Sequence, residues 1–381
     1  MRGYRKKYHF PWRDGHQFSL LVDGEQFFRA MLDDIRNAQH YVLLEMYLFE
    51  SGKTADQFID AFIQATSRGV QVCLLLDHFG ALKLNAQDRH RLTNNNIKLV
   101  FYNPLRYGRW RRNLFRDHRK LLSVDGRVAY TGGAGICDEF NQQLHPKMYW
   151  HEAMIKVEGP NVQDWETLFR ENWQQWTTYP LPLTPVEYES THTGQLGRVT
   201  QGRALSSSEV VRSFVKHIRN AERHVWLATA YFVPPWKLRR ALRRRALAGV
   251  DVRLVLPGPH SDHPSVRHMG RRYYERMLRD GVRVFEYQPR FLHAKILLCD
   301  HWVSIGSSNV DRWNYRWNME ANQEVDDTEF ASQVQQQFEA DFPDCVEFNY
   351  EEWRRRSWFR HAREWFWGRI VALLASIKNR P

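Results

Sequence analysis

The chain has 381 residues, 43% of them hydrophobic, which is enough for two ordinary domains or one large duplicated unit and excludes wholesale disorder. It carries 55 Lys and Arg against 43 Asp and Glu, a formal charge of +12, and only twelve of those bases are lysine. A surface rich in arginine suits phosphate-bearing partners, nucleic acid or an anionic membrane, with a merely soluble basic surface as the plainer reading. Cys73, Cys137, Cys299 and Cys345 are scattered without a Cys-x-x-Cys pair, which argues against a disulfide framework or zinc site and fits reduced, buried thiols in a cytosolic setting.

In chain order, the opening segment "MRGYRKKYHFPWRDGHQFSLL" is basic but has no apolar core of the kind a signal peptide needs, so none is expected. No run of eighteen apolar residues occurs, so no bilayer-spanning helix is predicted. Residues 40–77 read as strand, helix, strand: an apolar run ending near Tyr47, a helical-period stretch stopped at Gly69, and a second apolar run. A short strand follows in "NNNIKLVFYNP", then "FRDHRKLLSVDG" and a hairpin partner in "RVAYTGG". Residues 177–197, rich in Pro, Thr and Gly, read as a linker. Residues 224–257 then repeat the first pattern, with Tyr231 and Gly249 in the places of Tyr47 and Gly69, followed by "RDGVRVFEYQP", "RFLHAKILLCDH" and "WVSIGSS". Alternating helices and strands in both halves predict an α/β fold, duplicated and packed about a pseudo-twofold axis. The expected divisions are 1–176, the linker 177–197, 198–350 and a tail over 351–381.

Both halves contain His-x-Lys-x-x-x-x-Asp: His118, Lys120 and Asp125, then His293, Lys295 and Asp300. This pattern is expected by chance only roughly 0.03 times in such a chain, so two copies at equivalent places in a repeat outweigh the reading of ordinary core histidines. On a strand, residues i and i+2 share a face, which points each His and its Lys the same way. Asp125-Gly126 is a hairpin turn signal, so that aspartate is as well suited to shaping the turn as to touching substrate. Two histidines and two lysines around one composite site suggest phosphoryl chemistry: one imidazole attacks phosphorus, the other protonates the leaving alkoxide, and the lysines neutralise the non-bridging oxygens. A third His-x-Lys, at His145 and Lys147, has no counterpart in the second half and reads as coincidence.

These motifs, with "DHRKLLSVDGRVAYTGGAGI", "WHEAMIKVEGPNV", "AYFVPP", "LPGPHSDHPSVRHMGRRYYERML" and "FLHAKILLCDHWVSIGSSNVDRWNYRWNMEAN", resemble the phospholipase D superfamily over about residues 10–345. More closely, the chain is similar to bacterial cardiolipin synthases of the short type, without N-terminal membrane-spanning helices. The resemblance implies a duplicated α/β/α sandwich, a phosphatidyl-histidine intermediate, and no metal or other cofactor. It implies His118 as nucleophile, His293 as general acid and then base, and Lys120, Lys295, Ser307 and Asn309 around the phosphate oxygens. It further implies that carboxylates pair across the twofold, Glu320 with His118 and Glu152 with His293. Two departures stand out: Gly135 occupies the place of a phosphate-contacting Asn, and Asp300 is followed by a turn one residue short.

The implied partners are anionic phospholipids, phosphatidylglycerol and cardiolipin, met by peripheral attachment to the cytoplasmic side of the inner membrane. No nucleic acid is expected, since no nucleic-acid-binding motif occurs, and the oligomeric state is left open. Fourteen per cent aromatic residues fit an interfacial protein. Other phospholipase D-type transferases or hydrolases, and a nuclease, are the alternatives. His260, Asp262, His263 and His268 read as a loop at the substrate rim in preference to a metal cluster. In "WKLRRALRRRALAG" Leu238, Leu242 and Leu247 are expected to face inward. The tail, with apolar residues at helical spacing among arginines, is predicted to dock as an in-plane amphipathic helix.

Overall fold

The computed structural model describes residues 7–108, 111–183, 194–202 and 208–356. Strands Arg13–Val22 and Gln195–Gly202 lie antiparallel at the centre of a 16-stranded sheet. Outward from the first run Ala153–Glu158, Val128–Gly132, Lys120–Val124, Tyr41–Met46, Gln71–Asp77 and Lys98–Tyr102. Outward from the second run Asn318–Asp326, Trp302–Gly306, Lys295–Cys299, His224–Thr229, Asp251–Pro257 and Arg283–Tyr287, with Cys345–Phe348 at the far edge. The order mirrors itself about the centre, as a duplicated α/β chain requires.

In each half the three outer strands are parallel and joined by helical crossovers. Parallel strands are covered on both faces, so they read as unbroken apolar runs. Tyr41–Met46 is buried at every position, including Glu45. Helices Asn161–Trp176 and Thr328–Asp341 pack one face of the sheet through Trp165, Phe169, Phe330 and Phe338. Asp23–Asn37 and Lys53–Ser67 cover the other face of the first half, and Glu209–Asn220 and Trp236–Leu247 that of the second. The stops at Gly69 and Gly249 are real: both adopt positive φ, and Val70 and Val250 each donate back to the carbonyl five residues earlier.

Two expectations need correction. Leu247 is 68% exposed, while Leu238, Ala241 and Leu242 are buried. Nine residues at 100° per residue put Leu247 on the face opposite Leu238. Part of the linker is structural: Gln195, Leu196 and Gly197 belong to the central strand, and Leu181 and Leu183 pack on the core. That central strand bonds to Asn318–Asp326 as well as to Arg13–Val22, so the two halves share one sheet. Most of the amphipathic tail, residues 357–381, lies outside the described residues. Its first turn, Tyr350–Arg354, packs on the body through Trp353, buried beside Tyr274 and Phe348.

Candidate active site

Lys120 pairs with Met46, and Lys295 with Thr229, so both His-x-Lys segments lie at the carboxyl ends of parallel strands. That edge is where open α/β sheets bind ligands. Each histidine is also anchored to the opposite half. His118 N donates to Met319 O at 3.0 Å, and His293 N donates to His151 O at 2.7 Å. The residues after Met319 and His151 are Glu320 and Glu152, which is why the carboxylates cross the twofold. His118 Nδ1 lies 3.1 and 3.0 Å from the Glu320 oxygens, and His293 Nδ1 lies 2.7 Å from Glu152 Oε2. A carboxylate on Nδ1 fixes the tautomer with Nε2 bearing the lone pair.

The lysines fold back on their own motifs. Lys120 Nζ donates to His118 O at 2.7 Å and faces the Tyr47 ring at 5.1 Å. Lys295 Nζ donates to His293 O and sits 3.1 Å from Glu152. Burial pushes the His118 imidazole below its ordinary value against the opposing pull of Glu320. Burial and then Lys295 push His293 well below it. Burial also brings Lys120 down to about 7, lowers Lys295 and raises Glu152. The free site therefore holds neutral imidazoles, and an arriving phosphate anion favours the protonated forms of both the histidines and the lysines.

The other sequence-derived candidates divide. Asn309 is fully buried, and neither its Oδ1 nor its Nδ2 has a partner among the described residues. Such an amide is costly unless a ligand completes it. The Ser307 hydroxyl reaches Glu320 and Ala321 O, and its oxygen accepts from Ala321 N at 3.1 Å, so without ligand it steadies the carboxylate. Asp125 and Asp300 are turn residues at φ 53°, not members of the histidine cluster. Asp125 accepts from the backbone N–H groups of Gln39, His40 and Tyr41, and Asp300 from those of Glu222, Arg223 and His224. Each is a strand's length, roughly 16 Å, from its histidine end. The turn at Asp300 is indeed shorter, since Cys299 pairs with Trp302 where Val124 pairs with Val128, yet its three bonds survive.

The repeat register aligns Gly133 with Ser307 and Gly135 with Asn309. A Cβ on Gly133 would stand 2.0 Å from Glu152 Oε2 and 2.6 Å from Lys295 Nζ, and one on Gly135 would stand 2.7 Å from Leu48 Cβ. The first half therefore has no room for either polar side chain, and the site is asymmetric. His145 and Lys147 are exposed, whereas Glu152 reaches the centre. Among the described residues no three His, Cys, Asp or Glu side chains are disposed to hold a metal ion.

Sequence reading missed an ion cluster behind His293. His151 Nδ1 lies 2.8 Å from Asp23, its Nε2 lies 3.1 Å from Asp341, and Arg290 reaches Asp23 at 3.2 Å. Asp23 also accepts from Glu152 N and donates its own N–H to Glu152 O. The four residues come from distant parts of the chain, so no local pattern announces them. Burial opposes the charge on His151, but the two aspartates prevail and raise it from 6.5 to about 10. Its stabilisation is then complete below pH 6.5 and disappears as pH rises through about 10. His151→Leu removes the cation between buried Asp23, which keeps Arg290, and partly exposed Asp341, and is expected to cost roughly 3 kcal/mol at pH 6.5. Denaturant melts of both proteins should show that difference shrinking by pH 10; a constant difference contradicts a charged His151.

A family model described as "Cardiolipin synthase, PLD-like domain" matches residues 31–173 and 214–342. Cardiolipin synthase A of Pseudomonas syringae pv. syringae is 31% identical over 92% of this chain and 74% of its own length. Cardiolipin synthase 2 of Bacillus anthracis is 29% identical over 90% of this chain and 68% of its own. The fold matches phosphatidylserine synthase from Haemophilus influenzae with a TM-score of 0.70 at 14% identity, over 94% of both chains. The duplicated sheet has the phospholipase D fold, and the family model with these relatives makes the chain a phospholipase D-type phosphatidyltransferase. The chain belongs to the cardiolipin synthase family of phospholipase D-like proteins.

Proposed function

We propose that the chain joins two phosphatidylglycerols into cardiolipin and releases glycerol. The observation that carries this reading, within the family, is the pair of cross-braced imidazoles, His118 on Glu320 and His293 on Glu152. His118 Nε2 attacks phosphorus, and the bond to the glycerol headgroup breaks as protonated His293 gives that oxygen its proton. His293, now neutral, takes the proton of a headgroup hydroxyl on the second phosphatidylglycerol. That oxygen displaces His118, and the P–O bond of cardiolipin replaces the P–N bond. Lys120, Lys295 and the Asn309 amide offset charge on the non-bridging oxygens.

Peripheral attachment to an anionic bilayer is supported by the rim of this edge. Phe79, Leu82, Leu105, Tyr107 and Trp313 are exposed on loops that leave the strand ends around the site, and Trp236 is exposed at the start of helix Trp236–Leu247. Arg106, Arg112 and Arg312 are exposed on those loops, and Lys237 and Arg240 on the first turns of that helix. Aromatic and basic side chains together fit the headgroup region of an anionic surface. No helix among the described residues is long and apolar enough to cross a membrane. Incubation of the purified chain with headgroup-labelled phosphatidylglycerol, with chelator present, should yield cardiolipin and free labelled glycerol in equal amounts. Phosphatidic acid as the main lipid product would make the chain a hydrolase instead.

A further inference from the structure

The two halves differ in the loop that follows the second parallel strand. After Gln71–Asp77 the chain folds tightly on Tyr47, and a Cβ at Gly80 would stand 2.0 Å from Tyr47 O. The only carboxylate there, Asp77, is buried and spent on the Arg116 guanidinium and on the N–H groups of Phe79, Gly80 and Asp117. After Asp251–Pro257, residues 258–263 instead leave the sheet edge that holds the site as a loop carrying Asp262. Its carboxylate accepts from the hydroxyl of Tyr231, which the repeat register sets against Leu48, one place beyond Tyr47, and the Tyr231 ring lies 5.8 Å from that of His263. Helix Pro264–Arg271, opened by Pro264 at its first position, fixes where the loop ends.

Asp262 is unlike the other carboxylates at the centre. Glu152 and Glu320 are buried and committed to the histidines, whereas the Asp262 side chain is 22% exposed. Its charge reaches both His293 and Lys295. An anion here opposes a phosphate, so it helps binding by accepting hydrogen bonds from donors elsewhere on the substrate, which in phosphatidylglycerol are hydroxyls. On the His293 side those hydroxyls belong to the alcohol.

We propose that Asp262, held by Tyr231, forms a subsite for the hydroxyl groups of a polyol headgroup, receiving glycerol as it leaves and the glycerol headgroup of the acceptor as it arrives. This rests on the phosphatidyl transfer proposed above, with His293 at the alcohol. A carboxylate aimed at substrate hydroxyls selects against an alcohol that has only the reacting one.

The test offers the full chain phosphatidylglycerol as donor, with labelled glycerol and 1-propanol as equimolar acceptors, and reads the ratio of labelled phosphatidylglycerol to phosphatidylpropanol. Because both products come from one protein sample, partial loss of folded enzyme does not move the ratio. Asp262→Ala and Tyr231→Phe should each lower it, Asp262→Ala by about 10- to 100-fold, the worth of hydrogen bonds to a charged acceptor. A ratio unchanged in both variants overturns the subsite while leaving phosphatidyl transfer intact. A wild-type protein that makes cardiolipin but no labelled phosphatidylglycerol overturns the subsite alone, and one that makes neither overturns the transfer with it.

Discussion

His118→Ala and His293→Ala are each expected to lower phosphatidyl transfer by roughly 10⁴-fold or more, and the double variant should be no worse than the poorer single one. In the proposed mechanism both imidazoles act on one phosphorus, so removing either stops the same sequence of bond changes. Each histidine hangs from the other half's strand, and each carboxylate reaches across the twofold. Neither half has a spare group: Lys120 and Lys295 fold back on their own histidine carbonyls, and no third histidine takes part in the cross-braced cluster among the described residues. Turnover of the three variants on phosphatidylglycerol vesicles decides the matter. A single variant that keeps a tenth of wild-type turnover shows two independent sites instead of one.

Glu320→Gln is expected to slow transfer by about 10²- to 10⁴-fold while vesicle binding stays near wild type. Glu320 holds Nδ1 of His118 and also takes the Ser307 hydroxyl. A glutamine can offer either its oxygen or its amide protons to the imidazole, so the tautomer with a free Nε2 lone pair is no longer enforced. It also forfeits the stabilisation of the imidazolium. Ser307→Ala should reproduce a smaller part of the defect, since the carboxylate loses one of its supports. A Glu320→Gln rate within about threefold of wild type would show that another group orients His118.

The part of this site legible in the sequence is the part the repeat carries. Two copies of His-x-Lys, two glycine stops and two downstream glutamates occupy matching positions, so strand order and cross-pairing follow from the duplication, whereas Tyr47 and Tyr231 fall one place out of register. Features that break the symmetry were harder to read. Ser307 looked like a phosphate ligand because its neighbourhood does, but which oxygen its proton meets depends on how Asn318–Asp326 lies against it. Asp125 and Asp300 belong to the motif, yet their role is to hold three backbone N–H groups at a strand entrance. Leu247 follows the leucine spacing of Leu238 and Leu242, but nine residues of helix turn it to the face opposite Leu238. The His151 cluster and the Tyr231–Asp262 contact are assembled from segments distant in sequence, and only the closed fold brings them together.

The most direct test of a composite site with His118 as nucleophile is to trap the lipid on the protein. Purified His293→Asn protein, mixed with acyl-labelled phosphatidylglycerol and quenched at short times, should retain label, because the group that activates the second alcohol is gone. Peptide mapping should place that label on His118, and His118→Ala should carry none. Label found on His293 of the wild-type chain, and persisting in His118→Ala, would contradict the assignment and exchange the roles of the two halves.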